Sequence, residues 1–408
     1  MDSEAPARKR QDRQPLSILS STALAAPTRR GALLGLLSLA ACGPIALGGS
    51  RNAAPVNTAA PVAVGLLVPS GSTTQGNDIL AANLENAARL AIADLEGVQI
   101  DLRVYATQGD PAIAAQVARQ AVDEGARILL GPVHGAEASA VGTAVAALGI
   151  NVLAFSNNPA IAGNNVFVLG LTPDNAARRV LSYAMANNRG RVMIIGERTT
   201  AGELMMASVN RAAAETGAQI VATETYDFSQ QGIVAALPQM ASSARSSGAQ
   251  SILFTADSAG ALPVLAQLLP DNRIAYPQFQ FMGVTQWNIP PATLQLRGLQ
   301  DGWFTLPDPG VTQQFESRYA AAYGATPHPI AGLAYDGIAA IGALLRTGSN
   351  EALSHSALRQ QSGFVGVNGV FRFLSDGTNE RGLAVATIRN NALVILDPAP
   401  RSFAGPGA

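Results

Sequence analysis

The chain predicts an α/β fold with doubly wound, mostly parallel sheets and helices on both faces. Three observations predict it. From Pro61 onward short β-branched runs alternate with longer stretches of helical spacing, helix-start and helix-stop residues punctuate those stretches, and no period repeats as a solenoid would require. Strands separated by helices pair in parallel through crossovers that lay the helices on the sheet faces. At 408 residues the chain exceeds what one compact core usually holds, so two lobes are expected.

Each element has its own signal. The expected strands are VAVGLLV (62–68), IDLRVYA (100–106), ARILLGP (126–132), INVLAF (150–155), NVFVLGL (165–171), RVMIIG (191–196), QIVATETY (219–226), SILFTA (251–256) and FQFMGV (279–284). Between the first two, Leu84, Ala87, Ala88, Ala91, Ile92 and Leu95 share one helical face. Asp110-Pro111 supplies an N-cap and a first-turn proline, and Gly125 stops that helix; Thr172-Pro173 opens another, and Gly217 closes GELMMASVNRAAAET. After the helix LAYDGIAAIGALLR (333–346), residues 366–396 read as a β-meander with turns at 375–377 and 389–391. The tail, 399–408, is rich in proline and glycine and is expected to be disordered.

The N-terminus carries a different message. Arg29-Arg30 precede an apolar run, GALLGLLSLAA, that ends in small residues at Ala41. Eleven residues span only ~16 Å as a helix, about half a bilayer's hydrocarbon thickness, so the run describes an export signal and not a membrane span. The chain's single cysteine, Cys42, follows directly. Leu39-Ala40-Ala41-Cys42 resembles the lipobox of bacterial lipoproteins, which implies a signal peptide over 1–41 and lipidation of Cys42. A flexible tether (42–60) is expected to follow, with export by the general secretory route preferred over the twin-arginine one.

Residues 1–41 hold six basic groups and three acids, which leaves 21 arginines against 25 acids beyond them. That balance excludes a nucleic-acid footprint and a polybasic membrane patch, so membrane attachment is expected only through the lipid. Lys9 is the only lysine, which removes P-loop, Ser-x-x-Lys and Schiff-base chemistry from the rest of the chain. There is no G-x-S-x-G elbow, no H-E-x-x-H, and no G-x-G-x-x-G after a strand; His134, His328 and His355 lie far apart. No enzyme, metal site or cofactor is expected.

The order of segments resembles the type I periplasmic binding-protein fold, in the leucine/isoleucine/valine-binding branch. VGLLVPSGS, the Gly131-Pro132 pair, YDFSQQGIVA, AGLAYDGIAAIGALL and GVFRFLSDGTNERGLAV carry the resemblance over about 61–396. It implies two lobes joined by three crossover strands within a domain over 61–398. The first would hold about 61–172 plus 306–360, and the second about 173–305 plus 361–398. Two kinds of relative share this fold: solute receptors of ABC transporters, and the outer-membrane lipoprotein activators of class A penicillin-binding proteins. LLVPSG, NVLAFSNNP and VLGLTPDNAARRVLSYA look more like the activators, although the helical-repeat domain of those proteins is replaced here by a short tether.

Ligands of doubly wound sheets bind beyond the carboxyl ends of the strands. That rule nominates Ser70, Ser72, His134, Phe155, Ser156 and Asn157 in the first lobe, and Thr200, Asp257 and Trp287 in the second. His134 and Asp257 could equally cap the helices after them, Tyr335-Asp336 could pack and cap within the first lobe, and Trp287 could pack inside its lobe. An amino-acid receptor of this branch uses a small residue plus threonine where Phe155-Ser156-Asn157 stands, and Phe155 at the cleft floor would occupy space a zwitterion needs. No tyrosine stands beside Asp257 in sequence to complete an ammonium site. The leading expectation is therefore a non-enzymatic, lipid-anchored outer-membrane protein that partners a class A penicillin-binding protein and regulates peptidoglycan synthesis. The alternative is a receptor for a small polar ligand that partners an ABC permease.

Overall fold

In the computed structural model, which describes residues 55–403, alternating strands and helices build two separate, mostly parallel sheets. The first contains β1 (Val62–Val68), β2 (Ile100–Ala106), β3 (Ile128–Leu130), β4 (Asn151–Ala154) and β5 (Val166–Val168), in the order β2-β1-β3-β4-β5. On one face α1 (Asn77–Ala93), α8 (Pro309–Tyr323) and α9 (Gly332–Leu345) bury Leu84, Phe315 and Ile341 against Leu66, Ile128 and Leu153. On the other, α2 (Pro111–Asp123) and α3 (Gly135–Val145) pack Ala118 and Val141 against Leu67, Leu129 and Val152. β3, β4 and β5 are buried along their whole length, as expected of short parallel strands covered on both sides.

The second sheet runs β15-β14-β10-β9-β8-β6-β7. Its parallel part is β6 (Arg191–Glu197), β7 (Gln219–Tyr226), β8 (Ser251–Phe254), β9 (Gln280–Gly283) and β10 (Trp303–Leu306). An antiparallel hairpin, β14 (Ala384–Arg389) and β15 (Ala392–Asp397), extends the β10 edge. Its turn places Asn390 and Asn391 at φ 52° and 62°, a region Asn tolerates better than most side chains. Helices α6 (Gln230–Ser246) and α7 (Leu262–Asp271) cover one face, while α4 (Pro173–Ala186) and α5 (Thr200–Thr216) cover the other.

The expected caps form. Asp110 accepts from the N–H groups of Ala112 and Ile113 at 2.7 and 3.0 Å, Thr172 caps α4, and Gly217 closes α5 at φ 78°. Each satisfies helix-end groups that would otherwise be left unbonded, an effect of about 1 kcal/mol per N-cap.

Four expectations need correction. The predicted meander is two structures: β12 (Gly369–Phe373) and β13 (Asn379–Arg381) join β11 (Phe364–Gly366) in a three-stranded sheet, whereas β14 and β15 belong to the second lobe. That small sheet packs Phe364, Phe371 and Phe373 into the first lobe's core, so residues 361–381 leave the second lobe, where they were expected. The end of the tether is docked, because Val56 is buried in the same core and its N–H donates to Asn350 O at 2.9 Å. The start of the tail is ordered too: Ala399 is buried in the second lobe's core, and the Phe403 ring lies 4.6 Å from the Arg372 guanidinium. The signal peptide, Cys42 and residues 404–408 lie outside the described residues.

Where the chain passes between sheets a buried polar network ties the crossings together. Arg381, the last residue of β13, donates to Leu169 O at 2.6 Å and to Asp336 Oδ2 at 2.9 Å. Asp336 on α9 also accepts from the backbone N–H groups of Val367 and Asn368 and from the Asn368 side chain. Burial pushes the Asp336 carboxyl up, against the pull of the Arg381 guanidinium and of Asn368. Asn379 donates to Val168 O and Gly170 O at 2.7 and 2.8 Å while accepting from Asn175 at 2.7 Å. The Tyr335-Asp336 pair does pack within the first lobe, and Asp336 additionally anchors this crossing.

Candidate functional site

The first-lobe strand ends are largely self-satisfied. After β1, Ser70 is half-buried, the Gly71 N–H donates to Asp78 at 2.8 Å, and Ser72 Oγ accepts from Asn77 Nδ2 at 3.0 Å and from the Thr74 N–H at 3.1 Å. After β4, Ser156 is buried and its Oγ accepts from the Asn158 N–H at 3.2 Å, while Asn157 is exposed. His134 stands at the N-cap position of α3 without bonding the helix through its side chain. Beneath it Glu137, fully buried in the first turn of α3, has no hydrogen-bond partner on either carboxylate oxygen. Its Oε2 is 3.9 Å from His134 Nε2, too long for a hydrogen bond.

Phe155 is not at a cleft floor. It is 3 % exposed and belongs to the first-lobe core with Leu130, Leu153 and Phe167. Trp287 is likewise removed from the candidates. It is fully buried, its ring stacks on Phe304 at 5.5 Å with an interplanar angle of 24°, and its Nε1 has no partner. Gly283 and Gly302 flank the indole so closely that a Cβ on either would strike it. Sequence placed this residue on a polar loop; the flanking glycines were the available sign that a large ring sits against backbone.

The second-lobe strand ends are chemically different. Register pairs Glu197, last in β6, with Tyr226, last in β7. Tyr226 is fully buried, and its hydroxyl has no hydrogen-bond partner. Burial pushes this phenol's pKa up, and the nearby charges of Glu197 and Asp257 push it further. Glu197 Oε1 accepts from Thr199 Oγ1 at 3.1 Å, and Asp257 Oδ1 accepts from the Gly260 N–H. Neither carboxylate forms an ion pair among the described residues, whereas neighbouring Asp227 is held by Arg198 at 2.9 Å. Thr200 is exposed at the start of α5, one residue beyond the cap Thr199. Asp257 closes a turn ahead of α7, whose own N-terminus has no side-chain cap.

The structure therefore places Ser70 and Ser72 after β1, His134 after β3 and Ser156 and Asn157 after β4 of the first sheet, and Thr200 and Asp257 after β6 and β8 of the second. Sequence reasoning missed Glu137, Glu197 and Tyr226. Tyr226 closes the run QIVATETY and Glu197 directly follows the run RVMIIG, so the strand-end rule applied there would have found both. A groove of about 840 Å³ lies elsewhere, between α7 and the segments before β9 and before β10; Gln267, Pro270, Tyr276 and Arg297 help line it, and no candidate residue does. Among the described residues no three His, Cys, Asp or Glu side chains gather where a metal could be held, and no helix is long and apolar enough to cross a membrane.

Two sheets of this order, joined by crossings and bearing polar strand ends, define a two-lobed α/β binding fold. Residues 61–392 match the periplasmic binding protein family, and the chain belongs to it. That is a family of substrate-binding proteins, and membership implies a periplasmic location. No curated protein matches the chain. Among solved structures, it resembles a putative branched-chain amino acid ABC transporter protein from Rhodospirillum rubrum (19 % identity, TM-score 0.70, covering 83 % of this chain and all of that one). It also resembles the branched-chain amino acid transporter substrate-binding protein LivJ from Streptococcus pneumoniae, solved with isoleucine (16 %, 0.55, 83 % and 100 %). A third is a solute-binding protein from R. palustris, solved with benzoate (17 %, 0.55, 84 % and 98 %). At these identities the likeness is one of fold.

Proposed function

We propose that the chain is the solute receptor of an ABC-type transporter, holding a small polar ligand between the strand ends of its two lobes and handing it to a permease. One observation carries this reading: Glu197 and Asp257, at the ends of the adjacent strands β6 and β8, have no counter-ion among the described residues, and both act on the unbonded hydroxyl of Tyr226 in the second-lobe core behind them. An unbonded buried hydroxyl costs the unliganded fold about 1–3 kcal/mol. The activator reading, preferred from sequence, rested partly on Phe155 filling the cleft floor, and burial of Phe155 in the core withdraws that argument. The titles of the similar solved structures weigh in the same direction. Acylation of Cys42 would keep the receptor at a membrane surface, close to its permease.

The test is a melting screen of the chain from Cys42 onward, carrying Cys42→Ser, against amino acids, amines and organic acids. A ligand at a hundred times its Kd is expected to stabilise the fold by about 2.7 kcal/mol. A flat screen, together with a measurable complex with the organism's class A synthase and faster glycan polymerisation, would return the activator to first place.

A further inference from the structure

The backbone passes between the lobes at 169–172, 307–308 and 382–383, each time as a covalent link between elements of different cores. The C-terminal tail makes a fourth passage, held at its far end by non-covalent contact. It leaves β15 in the second lobe's sheet and brings Phe403 onto Arg372 of β12, in the small sheet that packs into the first lobe's core.

The two ends of this segment are fastened differently. At the second-lobe end Asp397 pairs with Arg179 of α4 at 2.8 Å. The same guanidinium donates to Leu383 O at 2.7 Å and to Pro398 O at 3.4 Å, and Ala399 is then buried in the second lobe's core. At the first-lobe end the half-buried Phe403 ring lies 4.6 Å from the Arg372 guanidinium. Arg372 is held in place beneath it, donating to Glu380 at 2.8 Å from Nε and to Gln361 O at 3.3 Å. Glu380 is its register partner on β13, so the sheet itself sets where the ring can sit. A cation–π contact of this kind amounts to roughly a two- to fivefold preference for the docked ring, so this end can let go while the other stays fast.

Between its ends the tail presses on the third crossing. A Cβ at Gly382 would meet Pro400 O at 2.9 Å, Pro400 Cγ at 3.0 Å and Val370 Cγ2 at 2.8 Å. Turning one lobe against the other changes backbone angles at a few residues of each crossing. Of the two residues in this one, Leu383 is fully buried, and Gly382 has the freer backbone. Pro400 lies against that glycine.

From this arrangement we infer that residues 398–403 form a releasable strap that restricts how the lobes turn about their crossings. Docked, the strap holds Pro400 against Gly382 and limits the lobes to a narrow range of settings. With Phe403 off Arg372, Pro400 can lift and the range widens. The strap acts on the crossing whatever the strand ends hold, so it goes beyond the receptor reading and does not rest on it.

Pulsed electron–electron resonance between spin labels on α2 and α5 tests it, in the chain from Cys42 onward carrying Cys42→Ser, Gln116→Cys and Ala214→Cys. Both labelled positions are exposed, and the two helices belong to different lobes. Phe403→Ala, and separately a chain ended after Pro400, are expected to broaden the distance distribution roughly twofold, because the docked state no longer dominates. Phe403→Tyr keeps an aromatic face for Arg372 and should keep the narrow distribution. A tail that merely stabilises the fold would lower the urea midpoint in the first two variants and leave their distances unchanged, which would overturn the strap. Equal broadening in Phe403→Tyr and Phe403→Ala would overturn it as well.

Discussion

Asp336 with Arg381 at the lobe crossing and Tyr226 at the second-lobe strand end are almost equally hidden from solvent, at 0 %, 6 % and 0 % exposure, but their bonding is opposite. Asp336 collects four donors, and Arg381 divides its guanidinium between Asp336 and the Leu169 carbonyl, with the Phe371 ring 4.8 Å away. The Tyr226 hydroxyl collects none. A saturated buried network has nothing left to offer a ligand and everything to lose from mutation. An unsaturated group beside unpaired acids is costly to the unliganded fold and useful only when something arrives. The contrast separates the part of the molecule that holds the lobes together from the part to which the receptor proposal assigns recognition.

The contrast can be broken in several ways. The largest effect is expected at the crossing: Arg381→Met leaves Asp336 buried without its cation and should cost about 3–5 kcal/mol in urea unfolding. The double variant Arg381→Met with Asp336→Leu should recover much of that loss; a single variant costing under about 1 kcal/mol would mean the network is incidental. Trp287→Ala is expected to cost a similar amount, about 3–5 kcal/mol, by emptying the space between Gly283 and Gly302. Its ligand affinity should stay intact, and a loss confined to binding would put the indole back in the cleft.

Tyr226→Phe is expected to move stability much less, raising it by about 1 kcal/mol as an unbonded hydroxyl leaves the interior, while ligand affinity falls. The same variant sharpens the pH behaviour. Burial first, then Glu197 and Asp257, raise the folded phenol above its ordinary value of 10.0, so the folded state holds the proton that the unfolded state releases. The stabilisation is complete below that value and is lost as pH rises above it. Unfolding of wild type and variant at about pH 9 and about pH 11 should therefore show a steeper alkaline loss in the wild type. The smallest effect belongs to Phe403→Ala, about 0.5–1 kcal/mol for a half-buried cation–π contact with Arg372, read as earlier proteolysis of the tail.

Much of this architecture could be read from local signals. The nine runs from 62 to 284 all contain strands, and Asp110, Thr172 and Gly217 end or begin helices where their side chains or backbone freedom dictate. The site was half legible. The strand-end rule nominated Asp257 and the serines, but it passed over Tyr226 and Glu197, which lie side by side across β6 and β7. It also promoted Phe155 and Trp287, because a loop position says nothing about what folds over it.

The sequence alone determined the presence of the nine strands from 62 to 284, the caps of several helices and the mostly parallel character of the sheets. These follow from hydrogen bonds and side-chain periods spanning a few residues, and from composition. Only the tertiary structure decided that β13 and β14, two residues apart, join different lobes, and that Arg381 reaches Leu169 across 212 residues of chain. It also decided that a tyrosine and two acids from three different strand ends share one wall. Such outcomes depend on which distant surfaces bury one another, and no local pattern encodes that choice.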